Sequence, residues 1–199
     1  MPEIALELAP PNVLATAYVP SRFRPAFALL LQIDNRFEGL LRAAREPMIA
    51  QIKLAWWREA FANPPHLRPK GEPLLQALND AGDLIPNTAL EALVLGWEIL
   101  LGSEEWSQDI LDKHADLRAE AVFQTYARWM NSAQELQPVG RMWALGALQI
   151  AFPERVPGDI VAPRAVLPKA RTLRPLSIMA MSVRTMSGPR LVWHALTGR

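Results

Sequence analysis

The chain has no cysteine. That excludes disulfides, thiolate metal sites and cysteine nucleophiles, and it fits a reducing compartment. Histidine is nearly as scarce, with three in 199 residues: His66, His114 and His194. No HxxxH or HExxH spacing occurs, so a histidine-based zinc site has no foothold. GxSxG, GxxxxGK[ST] and GxGxxG are missing too, which sets aside triad hydrolases, P-loop enzymes and dinucleotide-binding folds. No uncharged apolar run approaches the ~18 residues of a membrane span. The longest candidate, ALVLGWEILLG, is broken by Glu98. The opening stretch MPEIALELAPPNVLATAYVP has no basic leader region and carries Glu3 and Glu7, so no signal peptide is expected. Period-two stretches bounded by hairpin turns are absent as well.

What is present is helical periodicity, seven tryptophans and eighteen prolines. An all-α fold in a single domain over residues 1–199 is expected, with residues 1–20 as an N-terminal extension and residues 153–174 as a Pro-rich connector. The first long helix is expected from Ser21, as N-cap, to about Ala44, with Pro25 tolerated in its first turn. Phe23, Phe27, Leu30, Phe37 and Leu41 fall on one side of it. The second begins at Pro47. There Ile49, Ile52 and Trp56 form one apolar stripe, and Ala50, Leu54, Trp57 and Phe61 form another. A helix apolar on two sides is expected to be sandwiched, with both Trp56 and Trp57 in the core. Further helices are expected near 73–81, 86–102, 107–135, 139–152, 175–187 and 189–197.

The net charge of +1 conceals an asymmetry. Residues 1–140 hold 12 Lys/Arg against 18 Asp/Glu, whereas residues 141–199 hold 9 against 2. Either a basic C-terminal part docks on an acidic body, or a cationic surface meets anionic lipid or an acidic partner. Arg184, Arg190 and Arg199, near Met181, Met186, Leu191 and Trp193, are expected to form a packed terminal helix with a solvated basic edge; the alternative they would suit is shallow membrane contact. The arginines are dispersed and no nucleic-acid module occurs, so no nucleic-acid partner is expected.

Chemistry rests on carboxylates at helical spacing. Asp34 and Glu38 lie one turn apart at the rim of the first long helix's apolar face, where they could look into an inter-helix cavity. Asp112 and Asp116 form a DxxxD flanked by Asp109 and Glu120. Such a pair can bind Mg²⁺ and through it a diphosphate. Lying away from the apolar stripe of Leu111, Ala115, Val122 and Tyr126, the four are expected to form a solvated acidic face.

The segment RPAFALLLQIDNRFEGLLRAAREPMIAQIKLAWWREAF resembles the first two helices of the squalene/phytoene synthase family. It is most similar to a diverged bacterial and mitochondrial branch, in which EP precedes a helix ending in WWR; here these are Glu46, Pro47, Trp56, Trp57 and Arg58. GWEILLG, HADLRAEAVF, VGRMWALGALQ and LRPLSIMA resemble that family's later landmarks in the right order. The resemblance spans roughly residues 20 to 187. It implies an isoprenoid-synthase-like helical bundle around a central cavity. Catalytic members carry two aspartate-rich motifs that hold Mg²⁺ and two prenyl diphosphates, because a leaving diphosphate needs its charge neutralised.

This chain departs from that pattern. Glu38 stands at the first aspartate of the first motif and Arg42 at the second. The place of the second motif reads IAFPERVPGD. His114 stands where the family has tyrosine, and Glu120 where it has glycine. The resemblance therefore implies a diverged, non-catalytic member with a binding or assembly role, since the branch includes a mitochondrial protein associated with respiratory complex I assembly. It implies a cytoplasmic location, peripheral to the inner membrane, and an unidentified protein or an isoprenoid lipid as partner. Two alternatives stand. One is an active prenyl transferase of isoprenoid, carotenoid or hopanoid biosynthesis, with Asp34 and Glu38 holding Mg²⁺ and Arg22, Arg24 or Arg42 on the phosphates. The other is an isoprenoid-binding pocket without turnover, which would need no cofactor.

Overall fold

The helical periodicity becomes ten α-helices in the computed structural model, which describes residues 8–44, 46–103, 105–158, 160, 163–184 and 188–197. In chain order they are α1 (Pro10–Ala17), α2 (Arg24–Ala43), α3 (Pro47–Ala62), α4 (Pro73–Ala81), α5 (Asn87–Glu98), α6 (Gln108–Ala119), α7 (Thr125–Trp129), α8 (Gln137–Ala151), α9 (Arg174–Ser182) and α10 (Gly188–Thr197). No strand occurs among the described residues. No described helix is long and apolar enough to cross a membrane.

Prolines punctuate the starts. Pro10, Pro25, Pro47, Pro73 and Pro175 occupy first-turn positions, where the missing N–H costs no hydrogen bond. Ser107 caps α6 by accepting from the Ile110 amide. Ser21 does not cap α2; the chain turns through Pro20, whose carbonyl accepts from the Phe23 and Arg24 amides, and the helix begins at Arg24.

The segment expected as one helix from 107 to 135 ends earlier. α6 passes through a single π-helical turn, Glu120–Gln124, into α7, which stops at Trp129. Asn131 then adopts φ 49°, in the left-handed region where asparagine is tolerated. The Asn131 amide bonds Arg128 O and the Ser132 amide bonds Ala127 O, a Schellman termination.

The core draws on every helix. Its fully enclosed large side chains include Phe27, Phe37, Phe61, Trp97, Trp106 and Tyr126. The N-terminal extension contributes to it, since α1 packs on α9 and buries Ala15, with Val19 following. The connector has no regular structure over 163–170, yet Tyr126 donates its hydroxyl hydrogen to Thr172 O at 2.9 Å.

Two close crossings fix α8. A Cβ on Gly140 would lie 2.6 Å from Ala119 Cβ, and one on Gly146 would lie 2.6 Å from Val183 Cβ. Only glycine lets α8 approach α6 and the end of α9 so closely.

α3 corrects an expectation. Ala50, Leu54, Trp57 and Phe61 are buried as one stripe. The other stripe is left partly open among the described residues: Ile49, Ile52 and Trp56 are 45%, 64% and 39% exposed, and Met48 joins them at 67%. α3 therefore packs on one side. The Trp56 ring rests edge-on against Trp57, with centroids 5.2 Å apart, while its outer face meets water.

At the C-terminus Leu191 faces the core and Trp193 faces solvent. Met186 and Arg199 lie outside the described residues.

Candidate functional site

Along α2, Asp34, Asn35, Glu38, Gly39 and Arg42 follow one line beside the apolar face that buries Ile33, Phe37 and Leu41. They form one wall of a cavity of about 620 Å³. Trp143, Ala147, Ile150 and Ala151 of α8 form another wall. Arg118 of α6 lies at the base, with Ser182 and Val183 and the start of α1 completing the lining.

Asp34 is 3% exposed and accepts three hydrogen bonds. Arg118 Nη2 donates to Oδ2 at 2.7 Å and Nε to Oδ1 at 3.1 Å, a two-pronged pair. Trp97 Nε1 adds a third bond to Oδ1 at 2.8 Å. The fork geometry of the guanidinium suits a carboxylate in this way and no lysine could reproduce it. Arg118 is itself 2% exposed. Its Nη1 donates to Ala144 O at 3.2 Å, and the guanidinium carbon sits 4.8 Å from the Trp97 ring and 4.5 Å from the Trp143 ring. The charges are thus paired, hydrogen-bonded and flanked by two aromatic faces, which together offset their desolvation.

His114 lies one turn before Arg118 and is fully enclosed. Its Nδ1–H donates to Gly96 O at 2.6 Å, leaving the Nε2 lone pair toward Arg118 Nη1 at 3.5 Å. Burial lowers its pKa to about 3, helped by the neighbouring Arg118 charge and opposed by the bond to Gly96. At neutral pH it is an uncharged imidazole that can accept from arginine.

At the cavity edge Glu38 pairs with Arg42 one turn on, 2.5 Å apart. Both carboxylates that the active-enzyme alternative would use as ligands therefore line one cavity, and each already holds a guanidinium. Mg²⁺ asks for several free oxygen donors in octahedral order. No group of three or more His, Asp or Glu side chains able to hold a metal occurs among the described residues. With Asp34 and Glu38 both engaged by arginine, this donor set does not fit the ion.

Of the three arginines considered for phosphate, Arg42 alone lines the cavity. Arg24 donates to Ala17 O and Val19 O at the end of α1. Arg22 lies over the Phe23 ring at 4.4 Å, and Phe23 in turn stacks on Trp129.

The acidic line on α6 is only partly a solvated face. Asp109 pairs with Lys113 and Glu120 with Arg128, both near the surface. Asp112 and Asp116, however, reach Arg141 of α8 at 2.8 and 3.4 Å, and Gln137 Nε2 donates to Asp116 at 3.0 Å. These two carboxylates fasten α8 to α6, and the fastening is one point where the basic C-terminal part docks on the acidic body. Where a second aspartate-rich motif would fall, Phe152 and Arg155 pack on Trp106 instead, at 5.5 and 4.2 Å. Asp159 lies outside the described residues.

Arg118, Trp97 and Trp143 escaped the sequence reading. Their signal was present: His114 and Arg118 fall on the same helical stripe as Leu111, Ala115 and Val122, and a cation on an apolar stripe demands a buried anion. No family model, curated protein or solved structure matches this chain.

Proposed function

We propose that this chain is a non-catalytic relative of the squalene/phytoene synthases, with their helical build and central cavity but without their metal chemistry, acting as a binding or assembly protein. One observation carries the reading: the aspartate at the base of the cavity is the counter-ion of a buried arginine. A prenyl transferase needs its carboxylates free for metal and its cations free for diphosphate. Here Asp34 neutralises Arg118, and Glu38 neutralises Arg42. The cavity thereby presents two internal ion pairs, with no charge left over for a phosphate.

The ordered landmarks, the all-helical architecture and the joint placement of Asp34 and Glu38 on one cavity wall support the relationship. A second reading keeps a ligand. The α8 wall is apolar, and ~300–1,000 Å³ is ordinary for small-molecule sites. A single isoprenoid chain held without turnover fits that lining, with Trp143 as a reporter.

Incubation with farnesyl or geranylgeranyl diphosphate and Mg²⁺ tests both. Recovery of the prenyl diphosphate without any carbon–carbon-joined product is expected. A joined product would overturn the non-catalytic reading. Saturable quenching or enhancement of tryptophan fluorescence, lost in Trp143→Phe, would favour the pocket over a purely protein-binding role.

A further inference from the structure

Carboxylates are distributed unevenly in this fold. Residues 8–33 and 160–199 together hold nine Lys/Arg and no Asp or Glu, while residues 34–159 hold 18 Asp/Glu. The fold gathers the two acid-free segments, because α1, α9 and α10 pack against one another. Among the described residues, one region of the molecule is therefore built from helices that carry cations or no charge; Glu3 and Glu7, which precede α1, lie outside the described residues.

Within it α10 is apolar on two sides. Leu191, His194 and Ala195 face inward at 7%, 4% and 1% exposure. Val192, Trp193 and Leu196 face outward at 48%, 63% and 69%. The helix is held in that attitude: Arg174 Nη1, at the start of α9, donates to His194 O and Ala195 O at 3.0 and 3.2 Å. Arg184 and Arg190 are exposed and form no ion pair among the described residues. The neighbouring α1 carries exposed Val13, is followed by exposed Tyr18, and has no charged residue.

Exposed apolar surface does not by itself choose an occupant; the charge around it does. The open stripe of α3 is bordered by both signs, with Lys53 and the Arg36–Glu72 pair beside Trp56. Among the described residues the α10 face has one sign only. Tryptophan with aliphatic neighbours settles at the headgroup level of a bilayer, and cations beside it are drawn to anionic lipid. A ten-residue helix offering three such side chains holds a membrane weakly through apolar contact alone, so it needs the second, electrostatic signal, and this helix has it.

We infer that α10, braced by α1 and α9, is a docking face for an anionic lipid bilayer, with Val192, Trp193 and Leu196 entering the interface and Arg184 and Arg190 against lipid phosphates. None of Val192, Trp193, Leu196, Arg184 and Arg190 is among the residues that line the cavity, although α1 and the end of α9 border both.

The test is sedimentation of the full chain with phosphatidylcholine vesicles, with and without phosphatidylglycerol. Binding is expected only when phosphatidylglycerol is present, and it should weaken as salt rises. Arg190→Gln should lower the partition coefficient roughly fivefold, the equivalent of one cation near the surface. Trp193→Ala, at an exposed position, should lower it at least as much while leaving the circular dichroism spectrum unchanged. Equal binding to both vesicle types, binding to neither, or full binding by the Trp193→Ala protein would overturn the inference. So would a concentration-dependent dimer in sedimentation velocity that Trp193→Ala abolishes, since the face would then belong to a second copy of the chain.

Discussion

Arg118 and Asp34, 84 residues apart in sequence, meet in a buried two-pronged pair at the base of the cavity. The pair locks α6 to α2 and removes the carboxylate from any other use. Removing one partner leaves the other charge buried and alone, which costs about 3–5 kcal/mol. Arg118→Met and Asp34→Leu are each expected to lose that much in urea denaturation. The double variant should lose clearly less than the two combined, because two apolar side chains can pack where two charges were matched. Additive losses would show that the charges are not coupled as the geometry has them.

The adjacent tryptophans of α3 separate cleanly. Trp57 is 4% exposed and packs on Phe37 and Phe61, with ring centroids 5.6 and 5.4 Å away. Trp57→Ala should cost about 3–5 kcal/mol, as large aromatic truncations in a core do. Trp56→Ala should cost clearly less, about 1–2 kcal/mol, since the residue is 39% exposed and its ring is covered on one side only. Thermal or urea unfolding of the two variants checks the contrast. Comparable losses would mean that a neighbour covers the outer stripe.

Much of this architecture was legible in advance because helices announce themselves locally. Proline positions marked the starts of α3 and α4, and the 3.6-residue period separated one face from the other. What escaped depended on long-range partners. The end of α7 hinged on the left-handed Asn131, a backbone state that asparagine permits but does not require. The exposed stripe of α3 looked like a second core face, since apolar periodicity says which side is apolar and not whether anything comes to cover it. The cavity was readable in outline from Asp34 and Glu38, but its character was not. Glu38 found its partner one turn along the same helix in Arg42, but Arg118 had to be brought in from another helix before the role of Asp34 could be decided.

The Gly140 crossing offers a steric test. A Cβ there meets Ala119 Cβ at 2.6 Å, the Ala119 Cα at 3.0 Å and Phe123 Cγ at 3.1 Å. Two of these three atoms belong to Ala119, whose backbone is fixed in α6, so little of the overlap can be relieved by side-chain rotation. Gly140→Ala should destabilise by about 1–3 kcal/mol despite alanine's better helix propensity. Pairing it with Ala119→Gly should recover most of the loss, because the offending methyl is then removed from the other side. Chemical denaturation of the single and double variants would show whether α8 is seated by this contact.

His114 predicts a pH dependence with a definite sign. Its folded-state pKa is lowered to about 3, first by burial and then by Arg118, whereas an unfolded-chain histidine titrates near 6.5. Between those values the unfolded chain binds a proton that the folded chain refuses. Stability therefore rises with pH through that window, by at most on the order of 1 kcal/mol per pH unit from this residue, and is flat above it. Below about pH 5 the ordinary carboxylates join in, so the informative range is pH 6.5 to 5. There the wild-type urea midpoint should fall as acid is added. His114→Gln keeps an amide donor for Gly96 O without a titrating ring, and its midpoint should change less over the same range. If the two proteins lost stability in parallel, the enclosed imidazole would not be the group that acid attacks first.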